Sequence, residues 1–259
     1  MNYIFSILLF LITLNVFSQR VLNTHIDKQN CREGENVEYC KTHKVMHNLK
    51  ANAEFLRTFL ADQQVLQQIE DSISEMDRSN TVYKIPLVFH VLHNGGNENI
   101  SDEQIYDAVD ILNRDYRLQN SDANNVQSVF DGMPADIEIE FALATKAPNG
   151  QCFSGITRTI SPLTESDNGD DQVAAIISGN DVYNGQWAGN RYLNIFVCDY
   201  IGGAAGYTYN PSNWLGSSMY NGIWVLNDYV GSIGTSGGSS SRTLTHEVGH
   251  WLNLSHTWG

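Results

Sequence analysis

Proline and basic residues are scarce in this sequence. Its 259 residues include only 5 Pro, and 15 Lys and Arg stand against 29 Asp and Glu, which gives a formal net charge of −14. So little proline excludes collagen-like and proline-rich disordered chains, and 42% hydrophobic residues suffice for a folded core. No cluster of Lys and Arg reverses the negative sign locally. Because the phosphate backbone is also anionic, we expect no nucleic-acid partner.

Long apolar runs are absent after residue 18, whereas a membrane-spanning helix needs about 20 apolar residues. Residues 1–18 contain no Asp, Glu, Lys or Arg, are mostly apolar and end in Val16-Phe17-Ser18, which suits signal peptidase. They predict a cleaved secretory signal peptide, a secreted, extracellular protein and no membrane contact after cleavage. An uncleaved anchor and a buried strand are the alternatives.

Cysteine is limited to Cys31, Cys40, Cys152 and Cys198. Export allows disulfides to persist, so two structural bridges are the simplest expectation, and all three pairings stay open. Two cysteines lie near the N-terminus and two far downstream, which leaves room for another role.

Residues 19–80 have a helical pattern. Apolar side chains recur at helical spacing from Lys41 to about Asp77, among Gln, Lys, Glu and Asp, which predicts one or two amphipathic helices. The segment ends in Arg78-Ser79-Asn80, which we interpret as a linker.

Residues 81–259 show a mixed pattern that predicts an α+β domain. Ser101 begins a capping box that opens a helix to about Leu118. The Gly- and Ser-rich residues 231–241 predict a flexible loop. The expected strands are 83–92, 137–143, 192–198 and 222–226.

The most informative segment is RTLTHEVGHWLNLSHTWG, at residues 242–259. His246 and His250 are four residues apart, so on a helix they can direct two imidazole nitrogens at one ion. His256 supplies a third ligand if the helix ends near Asn253 and the backbone turns back there, which requires a positive φ. Three neutral imidazoles leave one position on zinc open, as in catalytic sites. We therefore predict one catalytic Zn²⁺.

Glu247 lies beside the first histidine and is not needed as a ligand. It stays within reach of a water on the metal, which zinc would acidify toward neutral pH. Glu247 is therefore the predicted general base for attack by a zinc-bound water. A zinc site without catalysis, and solvated histidines on an amphipathic helix, are the alternatives.

Two other groups have simpler interpretations. The aspartates of Asp167 to Asp171 (DNGDD) are clustered with Asn and Gly, which suits Ca²⁺, although an acidic surface loop is the preferred interpretation. His90 and His93 lie on or beside an apolar strand and are predicted to be structural.

The segment that starts at His246 resembles the zinc motif of the metzincins, HExxHxxGxxH, with Asn253 in place of Gly. More narrowly, HEVGHWLNLSHTWG resembles the pappalysin (cytophagalysin) metalloproteases. Other stretches agree in order and rough spacing, so that the resemblance covers about residues 80–259. They are IPLVFHVLH at 85–93, ISDEQIYDAVDILNRDY at 100–116, IEIEFALAT at 137–145, GITRT at 155–159, YLNIFVCD at 192–199 and AGYTYNP at 205–211.

The resemblance implies a secreted zinc endopeptidase made as a zymogen, with a signal peptide (1–18), a helical propeptide (19–80) and a metzincin-like catalytic domain (81–259). In this family the edge strand of a twisted mixed sheet lines the cleft, and an extended peptide or protein substrate binds there by strand addition. The matching residues are Gly203, Ala204, Ala205, Gly206 and Tyr207.

The family also maintains latency with a propeptide cysteine that occupies the open zinc position, and thiolate is a strong zinc ligand. Cys40 is the candidate for this latency ligand. It is followed by Lys41 rather than the usual Gly, and a bridge to Cys31 would consume its thiol.

A Met-turn follows the zinc motif in metzincins, but all five methionines here precede that motif, and the sequence ends three residues after His256. The resemblance therefore implies an N-terminal subdomain whose C-terminal partner is missing, and weak peptidase activity from these 259 residues alone. A non-catalytic secreted zinc-binding or adhesion protein, or an inactive fragment of a metalloprotease, is the alternative.

Overall fold

A computed structural model describes residues 37–73, 81–211 and 216–256. The predicted signal peptide, the linker at 78–80 and Cys31 lie outside the described residues. Within them the strands are β1 (Glu38–Cys40), β2 (Tyr83–His93), β3 (Ile139–Leu143), β4 (Ile156–Ile160), β5 (Leu193–Cys198), β6 (Ala204–Thr208) and β7 (Ile223–Leu226). The α-helices are α1 (Thr42–Lys50), α2 (Ala53–Ile73), α3 (Asp102–Tyr116), α4 (Gly169–Gly179) and α5 (Thr243–Trp251).

All seven of these strands form one mixed sheet in the order β1-β6-β7-β5-β2-β3, and β4 also pairs with β2. The long β2 pairs with β3 along its first half and with β4 along its second half. Only the β6–β7 pair is antiparallel. The central parallel strands are buried on both faces, which explains the near-continuous apolar runs of β2 and β5.

Alternate residues of β5 face two separate cores. Ile195 and Val197 pack in the core that includes residues of α3 and α5, whereas Phe196 and Cys198 pack in the core that includes residues of α4. All four side chains are completely buried. Helices therefore cover both faces of the sheet, in agreement with the predicted α+β architecture.

The predicted cap of α3 is present, and the start of α4 corrects another prediction. At the start of α3, the Ser101 hydroxyl accepts a hydrogen bond from the Gln104 backbone N–H. The segment predicted as an acidic loop instead begins α4, where the Asn168 side chain caps the helix and Asp170 and Asp171 lie in the first turn. Carboxylates are favourable there because they complement the helix dipole.

The Gly- and Ser-rich loop at 231–241 is held by hydrogen bonds, although its composition predicted flexibility. The Asp107 carboxylate on α3 accepts hydrogen bonds from the backbone N–H and the hydroxyl of Ser232. The buried Gln104 side chain accepts from the Thr235 N–H and donates to the carbonyl of Val230. These partners lie more than 120 residues away in sequence, so local composition did not reveal them.

Cys40, Cys152 and Cys198 are free thiols, whereas two disulfides were expected. Cys198 is buried in the core with α4, and Cys152 is exposed at the surface, so these two thiols are in separate environments. Within the described ranges, no helix is both long enough and apolar enough to cross a bilayer.

Candidate metal and active site

Three histidine side chains converge at the end of α5. The Nε2 atoms of His246, His250 and His256 are each 3.0 Å from the other two. His246 and His250 lie one turn apart on the helix. After α5 the chain reverses because Asn253 adopts a φ of 75°, as the sequence predicted, and the reversal brings His256 back beside the helix.

All three imidazoles are in the neutral form that binds metals. Burial, with a smaller effect of neighbouring histidines, lowers the pKa of His246 to about 2. Burial also lowers the pKa of His250 to about 4 and lowers that of His256. The His250 Nδ1 is 2.7 Å from the carbonyl oxygen of Leu254. Because a carbonyl only accepts, Nδ1 carries the hydrogen, and Nε2 presents its lone pair to the other histidines.

Cys40 adds a fourth donor to this cluster. Its Sγ and one nitrogen of each histidine all lie within 4.8 Å of one another, in the one such group of metal-ligand side chains among the described residues. The spacing is compatible with a single ion at about 2.0–2.1 Å from nitrogen and about 2.3 Å from sulfur. Burial raises the pKa of the Cys40 thiol, but a bound cation would reverse this effect because coordinating thiols are deprotonated. The donor set therefore fits zinc.

Glu247 is completely buried between α5 and β6. Burial raises its pKa to about 8, and hydrogen bonds from Cys40 and Thr42 oppose this rise. The Thr42 hydroxyl lies 3.2 Å from Oε2. Gly206 on β6 provides the space, since a Cβ there would lie 2.7 Å from the Glu247 Cγ. The site thus combines three neutral imidazoles with a carboxyl group able to move a proton.

Known proteins are similar to this chain in sequence and in fold. The family Peptidase M43, described as pregnancy-associated plasma protein-A, matches residues 177–259. The structure of Tannerella forsythia mature mirolysin in complex with a cleaved peptide is 36% identical in sequence, and the alignment covers 70% of this chain and 67% of mirolysin with a TM-score of 0.62. This chain belongs to the M43 pappalysin family of metalloproteases.

Other similar proteins extend the comparison. A Tannerella forsythia promirolysin mutant of known structure is 31% identical in sequence. The alignment covers 86% of this chain and 71% of the promirolysin chain, with a TM-score of 0.71. The metzincin-like fold expected from the sequence is thereby confirmed.

"Extracellular metalloprotease 1" of Coccidioides posadasii is 28% identical over 185 residues, which are 68% of this chain and 52% of that relative. An extracellular metalloprotease of Colletotrichum graminicola is also 28% identical, over 184 residues. The chain spans about half the length of these curated relatives.

The predicted substrate strand contacts the N-terminal segment in this pappalysin structure. β1 runs parallel to β6, with Glu38 opposite Ala204 and Cys40 opposite Gly206. The Glu38 N–H donates to the carbonyl of Gly203 at 2.8 Å, and the Lys41 N–H donates to that of Gly206 at 3.1 Å. The outer edge of β6, which includes most of the predicted residues 203–207, is therefore covered by β1.

Lys41 follows Cys40, where the resemblance led to an expectation of Gly. Its backbone, with φ of −102° and ψ of −5°, is in a region open to any residue, so the turn after Cys40 requires no glycine. The ammonium group lies 3.4 Å from the Gly202 carbonyl and 6.0 Å from the centre of the Tyr207 ring. The side chain thus adds contacts between the N-terminal segment and β6.

The remaining predicted candidates lie outside the cluster. The described residues bring no calcium-binding group of three His, Cys, Asp or Glu side chains together at 167–171, because these residues begin α4 and its acidic side chains lie in the first turn. His90 and His93 are buried on β2, and His90 bonds with Thr157 and Asn194. Both positions agree with a structural role.

Sequence reasoning missed several residues that shape the site. Tyr39 packs edge-on against His246, with ring centroids 5.3 Å apart. The Tyr116 hydroxyl donates to the Thr245 carbonyl of α5 at 3.1 Å. Thr42 contacts Glu247, and the two residues are 205 apart, so no local pattern signalled the contact.

Proposed function

We propose that this chain is the zymogen of a secreted zinc endopeptidase, in which His246, His250 and His256 hold the zinc ion and Glu247 is the general base. The observation that carries the proposal is the convergence of three neutral imidazoles beside Glu247, which lies on α5 together with His246 and His250. A zinc ion at this point would supply Lewis acidity that polarises the peptide carbonyl and makes water a stronger acid.

Glu247 is assigned the proton transfers. It follows His246 directly, yet its carboxyl group faces Gly206 of β6 rather than joining the imidazole cluster. From that position it accepts the proton of the attacking water and passes it to the nitrogen of the leaving amine.

The outer edge of β6 is proposed to hold an extended peptide. An unpaired strand edge presents a row of backbone N–H and C=O groups. In this structure β1 pairs with the groups of β6, and a substrate would replace β1 by strand addition. The cleaved peptide in the mirolysin structure supports a peptide or protein as the substrate class.

Latency is assigned to residues 19–80, between the signal peptide at 1–18 and the catalytic domain at 81–259, with Cys40 as the inhibitory ligand. Residues 81–259 are 179 of 259, or 69% of the chain, and mature mirolysin aligns with 70%. The promirolysin mutant aligns with 86%, so its alignment must extend into the N-terminal segment. The two curated relatives are named extracellular, which supports secretion.

Metal analysis of three forms of the full chain tests the site. We expect one zinc ion per wild-type chain, its loss in His250→Ala, and its retention in Glu247→Gln because Glu247 is not a ligand. After proteolytic removal of residues 19–80, Glu247→Gln should lower peptide hydrolysis by about 10² to 10⁴-fold.

Each outcome separates one part of the proposal. Zinc content near zero, or unchanged in His250→Ala, contradicts the metal site. Hydrolysis that survives in Glu247→Gln contradicts the general base. A processed chain that holds zinc and cleaves nothing is the non-catalytic zinc-binding protein or the inactive fragment of a metalloprotease.

A further inference from the structure

Thr42 joins the N-terminal segment to Glu247. It is the first residue of α1, and it is 3% exposed. Its hydroxyl oxygen accepts a hydrogen bond from the Thr208 backbone N–H at 3.0 Å. The same hydroxyl lies 3.2 Å from the Glu247 Oε2. Because the Thr208 N–H only donates, the hydroxyl hydrogen is left to donate to the carboxyl oxygen.

We propose that Thr42 is a second inhibitory group of the zymogen, which holds the general base while Cys40 occupies the metal position. The inference rests on the proposed function for the roles of Glu247 and Cys40. It adds that the N-terminal segment blocks two chemically different groups at once, through two side chains two residues apart.

The two blocking contacts are held in register by β6. Cys40 lies opposite Gly206, and Thr42 receives the N–H of Thr208, so each contact is set by alternate residues of the same edge strand. Gly206 leaves Glu247 close to the strand, where Thr42 reaches it. Loss of the Cys40 thiol therefore leaves the Thr42 contact and the backbone pairing of β1 in place.

Removal of the hydroxyl should loosen the segment. Thr42→Val keeps the shape of the side chain but leaves the Thr208 N–H and the Glu247 Oε2 without this partner, and buried polar groups without partners are destabilising. Thr42→Ser keeps both hydrogen bonds and is the conservative control. Thr58→Val, at an exposed position of α2 where the hydroxyl bonds only to the Glu54 carbonyl, is the matched control for the loss of a hydroxyl.

Alkylation of Cys40 in the zinc-loaded full chain gives a readout that needs no catalysis. With labelling measured residue by residue by mass spectrometry, we expect Thr42→Val to raise the Cys40 rate by about 10-fold, on the scale of one buried polar group left without a partner. Thr42→Ser and Thr58→Val should stay within about 2-fold of the parent, as expected when no buried partner is lost.

A double-mutant cycle shows whether Thr42 acts through Glu247. In a Glu247→Ala background the additional effect of Thr42→Val should be several-fold smaller than in the parent, because the carboxyl partner is already gone and only the Thr208 N–H loses its acceptor. An undiminished effect would mean that Thr42 only supports the backbone of β6, and the proposal would be wrong. An unchanged labelling rate in Thr42→Val alone would overturn it as well.

Measurement of peptide hydrolysis provides an independent test of the proposal. The full-length Cys40→Ser chain should remain less active than the processed chain, and addition of Thr42→Val should raise its activity toward the processed level. Full activity in Cys40→Ser alone contradicts the second contact. If no form hydrolyses peptides or binds zinc, the proposed function fails, whereas the same labelling cycle on the metal-free chain still decides whether Thr42 restrains Glu247.

Discussion

The β1–α1 segment and the centre of the sheet are held in place in different ways. Among the described residues, the three-residue β1 pairs with β6 alone, and few side chains of the segment are buried, among them Cys40, Thr42 and Met46. β5 pairs on both sides, and each of its six residues is buried. Local opening requires few buried contacts, so the segment can detach while the sheet stays folded. The latency role proposed for this segment needs this difference.

The largest effect is expected from a core truncation. Phe89 on β2 is completely buried, and Phe89→Ala should lower the free energy of unfolding by about 3–5 kcal/mol because it leaves a cavity. Urea denaturation followed by circular dichroism measures the change.

Met46→Ala, on α1, is the matching truncation in the β1–α1 segment. It should speed alkylation of Cys40 while the main urea transition stays in place. An equal fall of the main transition in both variants would show that the two regions unfold as one unit.

Acid should weaken the sheet through His90. Asn194 Nδ2 donates to the Trp187 carbonyl, so its Oδ1 faces His90 and accepts from Nε2–H, while the Thr157 hydroxyl donates to Nδ1. Burial lowers the pKa of His90 to about 4 from 6.5. The unfolded chain thus takes up a proton near pH 6.5 and the folded chain only near pH 4. This contribution to stability is present at neutral pH, is lost as pH falls from 6.5 to 4, and levels off below that.

The shift in the His90 pKa corresponds to about 3 kcal/mol. Urea unfolding at several pH values should show a weaker pH dependence in His90→Gln than in the parent, because Gln cannot titrate and the dependence that remains comes from other buried histidines such as His246 and His250. Equal pH dependence in the two proteins would argue against a buried neutral His90. This prediction concerns the stability of the sheet alone. Cys40 labelling at the same pH values would detect any separate opening of the N-terminal segment.

The alkylation rates of three thiols allow the two regions to be compared directly. Cys152 is exposed, whereas Cys40 and Cys198 are buried. Under native conditions Cys152 should be alkylated first, then Cys40 when the segment opens, and Cys198 only on global unfolding. We expect Cys40 to react about 100-fold faster than Cys198, since sub-global opening costs less than global unfolding. Peptide mapping after timed labelling gives the rates, and equal rates for Cys40 and Cys198 would remove the distinction between the regions.

The smallest effect is expected at the surface of the segment. The Lys44 ammonium lies 2.5 Å from the Glu38 carboxylate, with side chains 57% and 30% exposed, and exposed pairs contribute less than about 1 kcal/mol. Lys44→Ala should therefore change the Cys40 labelling rate by less than about 5-fold. A larger change would mean that surface charge, rather than the buried Cys40 and Thr42, holds the segment.

The sequence by itself determined the histidine cluster, because every feature that forms it is local. The spacing of His246 and His250 fits one helix, and Asn253 tolerates the positive φ that ends the helix and returns His256. The start of α3 was equally predictable, since the Ser101 cap bonds within one turn. Such signals depend only on neighbours in sequence.

Only the tertiary structure decided what surrounds that cluster. Thr42 and Glu247 are 205 residues apart, and they meet because β1 pairs with β6 in one particular register. The loop at 231–241 is ordered by Gln104, 131 residues before Thr235. Strand register and the packing of helices on a sheet depend on contacts across the whole chain, so no local pattern specifies which distant side chain completes a site.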